Sequence, residues 1–169
     1  MWLGRSSVPD LASAIAKALI DKKQIETQAQ ADVKADIEAV LDQYLNDEQE
    51  ISNRAKDLAA ARGMPPSEMS RIKRELARQR GIGIGEDAID YLLDQLLELL
   101  MHSASVDEIF APDHELRRTM REPMRQQESA AEKLDATLRG RLKHVQEGTS
   151  QWEIEYRRLR EEVERRRRS

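Results

Sequence analysis

Three histidines, His102, His114 and His144, are the residues of this 169-residue chain with the widest chemical range. Glu98 and His102 stand at i, i+4 and His144 and Glu147 at i, i+3, so each pair would share a helix face and offer nitrogen and oxygen donors to a divalent metal. The fuller patterns of helical metal sites are missing, with neither a Glu-x-x-His pair of the di-iron type nor His-Glu-x-x-His. The residues therefore predict no metal and no cofactor. The histidines are expected to cap, to hydrogen-bond or to face solvent.

A second constellation is denser. His144, Glu147, Thr149, Trp152, Glu155 and Tyr156 fall within thirteen residues and contain the groups from which general acid–base catalysis is built. His114, Arg117 and Arg118 are added to this candidate cluster from an earlier segment. No positioned nucleophile, oxyanion cradle or phosphate loop accompanies them, so no catalytic residue is assigned. The competing reading makes Trp152 and Tyr156 anchors of a core or an interface, because an aromatic ring with a polar tip suits both.

Two basic segments follow. Arg71, Lys73, Arg74 and Arg78 in one, and Arg157, Arg158 and Arg160 in the other, could neutralise phosphates and give salt-sensitive binding to nucleic acid or a ribosomal surface. The plainer explanation is that cations favour helix C-termini and pair with Glu75, Glu161, Glu162 and Glu164 at helical spacing. Four arginines at positions 165–168 read as a frayed tail. With aromatic residues at 4%, stacking on single-stranded bases is not supported. The glycines at positions 81, 83 and 85 lack a preceding strand and a following lysine, so they mark a linker rather than a nucleotide loop.

The elements that must hold these residues are helical. A hydrophobic content of 39% against 36% charged, with a mean hydropathy of -0.74, suits amphipathic helices with a charged surface. Pro9 in a first turn, with Ser7 as cap, opens a helix whose stripe is Leu11, Ile15, Ala18 and Leu19. Val33, Ile37, Leu41, Tyr44 and Leu45 recur at offsets of three and four, and Ile51, Ala55 and Ala59 resume after Asn46-Asp47, giving two helices or one long one. Pro65-Pro66 ends that run, and Ser67 caps a helix carrying Met69, Ile72 and Leu76.

Beyond the glycines, residues 89–100 are apolar on most sides and predict the central helix of the core. Asp113 starts a helix that Pro123 should kink or break. Another carries Leu134, Leu138, Leu142 and Val145, and a last one opens at Thr149 or Ser150, with Glu153 completing a capping box for Ser150. The fold class is all-α, a bundle of seven to nine helices.

A shift of about eighty residues lays Val8, Leu11 and Leu19 over Ile89, Leu92 and Leu100. It also lays Val33, Ile37 and Leu41 over Leu116, Met120 and Met124, and Met69 and Leu76 over Trp152 and Leu159. Two weakly related halves, 1–81 and 82–169, are expected to share one core. Any two strings of amphipathic helices also align in part, because their spacing is common to all.

The segments Leu92-Leu93-Asp94-Gln95-Leu96, Asp113-His114-Glu115-Leu116-Arg117-Arg118 and Leu142-Lys143-His144-Val145-Gln146-Glu147-Gly148-Thr149, followed by Trp152 and Glu155-Tyr156, resemble the bacterial family catalogued as domain of unknown function number 507. The resemblance covers nearly the whole chain and is most specific over 143–156. It implies a helical bacterial protein and carries no activity, ligand or catalytic residue with it.

The absence of cysteine removes disulfides, thiolate metal sites and cysteine nucleophiles. No apolar run serves as a signal peptide, and 88–101 is too short and too charged to span a bilayer, so the expected location is cytoplasmic and no membrane is engaged. A net charge of -4 with a pI near 5.5 argues against a surface that is wholly a polyanion footprint. The expected function is a non-catalytic adaptor that offers an acidic and a basic surface to a protein or macromolecular complex.

Overall fold

The computed structural model describes residues 2–169, with Arg168 described by its backbone alone. Met1 and the side chain of Arg168, last of the four terminal arginines, lie outside the described residues. Nearly all of the chain is helical. A short 3-10 turn at Arg5–Ser7 leads into α1 (Val8–Asp21), the strand β1 (Ile25–Glu26) and α2 (Gln30–Ala61). A second 3-10 turn precedes α3 (Met69–Arg80), and a third, at Gly85–Asp87, precedes α4 (Ala88–His102). The strand β2 (Glu108–Ile109), α5 (Asp113–Arg141) and α6 (Ser150–Arg168) complete the order.

There are fewer helices than the seven to nine expected, and two positions account for the difference. Asn46-Asp47 does not interrupt α2, because the buried residues Tyr44, Leu45 and Ile51 keep one apolar face continuous on both sides. Pro123 lies inside α5 without ending it. The ring removes one backbone donor, but Leu116, Met120 and Met124, all at most 1% exposed, anchor the helix before and after it. The helix starts also differ from expectation. Neither Ser7 nor Ser67 caps with its side chain, since both lie in 3-10 turns. At α6 the cap is Thr149, whose hydroxyl accepts from the Trp152 N–H at 3.2 Å, rather than Ser150.

Contacts divide the described chain into two compact units, Leu3–Gln126 and Gln127–Ser169, with Trp2 grouped in the second. The division falls within α5 and not at the glycine-rich turn between residues 81 and 85, so α4 belongs with α1, α2 and α3. The reason is local. Gly81 takes the left-handed conformation, with φ 68°, and ends α3 as the Ile82 N–H returns to the Ala77 carbonyl at 2.9 Å. The next residues are then held on α2, where the Tyr44 hydroxyl donates to the Gly83 carbonyl at 3.0 Å. A β-carbon at Gly83 would lie 2.6 Å from the Asp87 carbonyl oxygen and 2.8 Å from the Tyr91 Cβ, so only glycine permits this approach.

The core of the first unit follows the apolar stripes. Leu11, Ile15 and Leu19 of α1, Val33, Ile37 and Leu41 of α2, and Leu92, Leu93, Leu96 and Leu100 of α4 are all at most 4% exposed. Burying each such side chain stabilises the fold by about 1.5–3 kcal/mol before entropy is counted. Ala55, Ala59 and Ile72 form a smaller cluster where α3 returns along α2.

One feature was not legible in the periodicity. β1 and β2 pair antiparallel, Ile25 opposite Ile109 and Glu26 opposite Glu108, and join the turn after α1 to the turn after α4. The Asp107 N–H donates to the Glu26 carbonyl and the Phe110 N–H to the Gln24 carbonyl, both at 2.8 Å. No described helix is long and apolar enough to cross a membrane.

Candidate functional site

The densest candidate cluster falls in the second unit, where the end of α5 meets the start of α6. Thr149 fixes the entry to α6 by capping it, and its hydroxyl donates in turn to the Gln146 carbonyl at 2.7 Å. One turn on, the rings of Trp152 and Tyr156 stack with centroids 5.0 Å apart and planes 20° apart. The Arg139 guanidinium sits 5.3 Å from the Trp152 ring centroid, a cation over an aromatic face. It also bonds Asp135 at 2.8 Å and Glu147 on the other side. The Tyr156 hydroxyl donates to the second oxygen of Asp135.

These contacts set the electrostatics. The hydrogen bond from Tyr156, and then Arg139, hold the Asp135 carboxyl below its ordinary range. Burial, followed by the bond to Asp135, raises the Tyr156 hydroxyl. Arg139 is held protonated by Glu147 and Asp135. Every charged group in the network thus has its partner inside it, and the arrangement fastens two helices together.

The remaining candidates do not join it. His144 is exposed and makes no described contact with the network, and Glu155 pairs with Arg158 at 2.8 Å. His114, Arg117 and Arg118 belong to the first unit. There, Arg117 bonds Asp94 on α4, whereas His114 and Arg118 are exposed. His102 stays on its own helix, with Nδ1 2.9 Å from the Glu98 carbonyl and 3.3 Å from the Glu98 carboxylate. Among the described residues no group of three or more His, Asp or Glu is placed to hold a metal ion.

The basic segments are largely neutralised in place. Arg71 pairs with Glu68 at 2.7 Å, Lys73 with Glu48 at 3.1 Å and Arg78 with Glu75 at 2.8 Å. Arg158 pairs with Glu155, and Arg160 with Glu164 at 3.3 Å. Most of these partners are three or four residues away on the same helix. Of the seven candidate anion-binding residues, Arg74 and Arg157 are exposed and form no described ion pair.

Sequence reasoning missed Asp135 and Arg139, the two residues that organise the cluster. Their i, i+4 spacing was a usable signal, but it recurs along every charged helix. Only closure of the α5–α6 corner distinguishes this pair.

The model of a family described as "Protein of unknown function (DUF507)" matches residues 1–168 of the chain. No curated protein matches it.

Proposed function

The chain belongs to the DUF507 family, and from that premise we propose that it is a non-catalytic interaction module that holds a protein partner within a cytoplasmic complex. The observation that carries this reading is the state of α6. Its apolar stripe of Trp152, Tyr156, Leu159 and Val163 is only half-buried, no described residue of the helix is fully buried, and on the opposite side of the helix Ile154 is 65% exposed. A 19-residue helix gains most of its stability from a covered face. A helix left this open has surface to spend on a partner.

Charge supports the same reading. Residues 3–126 carry 23 Asp and Glu against 17 Lys and Arg, and residues 127–169 carry 9 against 11. An acidic and a mildly basic surface favour selection of a complementary partner more than they favour raw affinity. The recurring order of helix, two-residue strand, long helix and further helix, once from α1 to α3 and again from α4 to α6, supports a duplicated origin for the two sequence halves.

The test is capture by the full-length, tagged protein after cross-linking in its own cell extract, followed by measurement of the affinity of the purified partner. Ile154→Lys should leave the helical spectrum unchanged and weaken that affinity at least about tenfold, the range of a central apolar contact. Ile154 lies on the side of α6 opposite the stripe, so Val163→Lys on the stripe is measured beside it, and unchanged affinity in both variants would remove α6 as the partner surface. Retention of RNA or duplex DNA at low salt, lost at high salt and lost in Arg74→Glu with Arg157→Glu, would replace the protein partner with a polyanion.

A further inference from the structure

The first unit has a groove that neither the sequence nor the cluster on α6 accounts for. It runs between α2 and α4, with a volume of about 290 Å³. The α2 wall is formed by residues at 36, 40, 43 and 47 and the α4 wall by 91, 95 and 99, spacings that keep each set on one helix face. From Asp36 to Asp47 the groove is therefore about 16 Å long at the rise of an α-helix. The groove is open to solvent along one side, so it does not enclose a small ligand over most of its surface as a ligand pocket does. The shape fits a row of side chains from a helix laid along it.

Its chemistry is graded. Asp36 lies at one end, held by the Ser103 hydroxyl at 2.8 Å, and no described cation pairs with it. Val40 and Leu99, both half-exposed, form the apolar middle. At the far end the Tyr44 and Tyr91 rings meet at 5.8 Å between centroids, beside Asp47, which Arg80 already neutralises at 3.3 Å. No lysine or arginine lines the groove, and the surrounding unit has an excess of acidic residues.

We infer that this α2–α4 groove binds a basic amphipathic helix of a protein partner, with a lysine or arginine at Asp36 and apolar side chains over Val40, Leu99 and the half-exposed Tyr91. The inference rests on the interaction-module reading but uses a different surface from α6. Each can fail alone.

The probe is a fluorescein-labelled, alanine-based peptide of eighteen residues with leucines on one face and two lysines at one end of that face. A control peptide carries glutamates in place of the lysines. Anisotropy with the full-length protein should show saturable binding of the lysine peptide and at least about tenfold weaker binding of the control. Ala39 and Gln95 are exposed groove residues, so Ala39→Lys and Gln95→Lys should keep the fold and weaken the lysine peptide at least about tenfold. Asp36→Asn should erase the difference between the peptides, and Ile154→Lys should change neither.

Equal binding of both peptides, indifference to Ala39→Lys and Gln95→Lys, or no binding at concentrations up to about 1 mM would overturn the inference. So would a sedimentation result in which the protein is a dimer that Gln95→Lys dissolves, since the groove would then hold a second copy. If the peptides fail while Ile154→Lys still releases a captured partner, the interaction module stands and the groove is not its site.

Discussion

Asp135 shows how a single side chain sets the behaviour of its corner. Its folded-state pKa is depressed by Tyr156 and then Arg139, so its contribution to stability is present above the unfolded carboxylate value and is lost as pH falls through the lower folded value. Tyr156 has the opposite sign. Its raised pKa gives a contribution complete below the unfolded value near 10 and lost as pH climbs through the folded one. Trp152 fluorescence in a Trp2→Phe background should therefore be flat across neutral pH and change below about pH 4 and above about pH 10. Asp135→Asn should flatten the acid limb; an unaltered acid limb would mean that another group reports there. At Gly83 the demand is steric. Gly83→Ala should cost about 1–3 kcal/mol in urea unfolding, because the added carbon meets backbone and the Cβ of Tyr91 with nowhere to yield. Thr149, Trp152 and Tyr156 were legible in the sequence because cap and stripe are local patterns. Their partners Asp135 and Arg139 were not, because Tyr156 and Asp135 are 21 residues apart and meet only when the helices close.

Between elements the contrast is between α4 and α6. Leu96 is completely buried and Leu159 is half-buried. Leu96→Ala should cost about 2–5 kcal/mol, whereas Leu159→Ala should stay near 1 kcal/mol or below; similar losses at the two sites would mean that α6 is packed as tightly as α4. The apolar run at 89–100 made a deeply buried helix legible, since few other segments have so few polar positions, but the central place it suggested belongs to α2, which packs against α1, α3 and α4. Helix ends were harder. Asn46-Asp47 and Pro123 look like boundaries by propensity, yet tertiary burial on both sides carries the helix through them. Pro123→Ala should consequently raise stability by about 1–3 kcal/mol, as the missing donor returns to an existing helix. The β1–β2 pair escaped the sequence because two-residue strands show no alternation, and their pairing depends on turns more than eighty residues apart.

In the whole molecule α2 is the helix against which α1, α3 and α4 pack, α4 is buried along most of its length, and α6 presents the open surface proposed for a partner. Charge lopsidedness was visible in the sequence as runs of like residues, and helical spacing already offered Glu75 and Glu164 as partners that neutralise part of it. Arg78, Arg158 and Arg160 are paired along their own helices, whereas Arg71 pairs with Glu68 in the 3-10 turn before α3 and Lys73 with Glu48 on α2, partners that spacing within α3 does not give. Native-state hydrogen exchange tests the claim most directly, because it reads local opening free energy along the entire chain. The amides at 92–100 should exchange only through the largest opening in the protein, and those at 152–163 through a smaller one that partner binding suppresses. Exchange at 92–100 as fast as that at 152–163 would contradict the account.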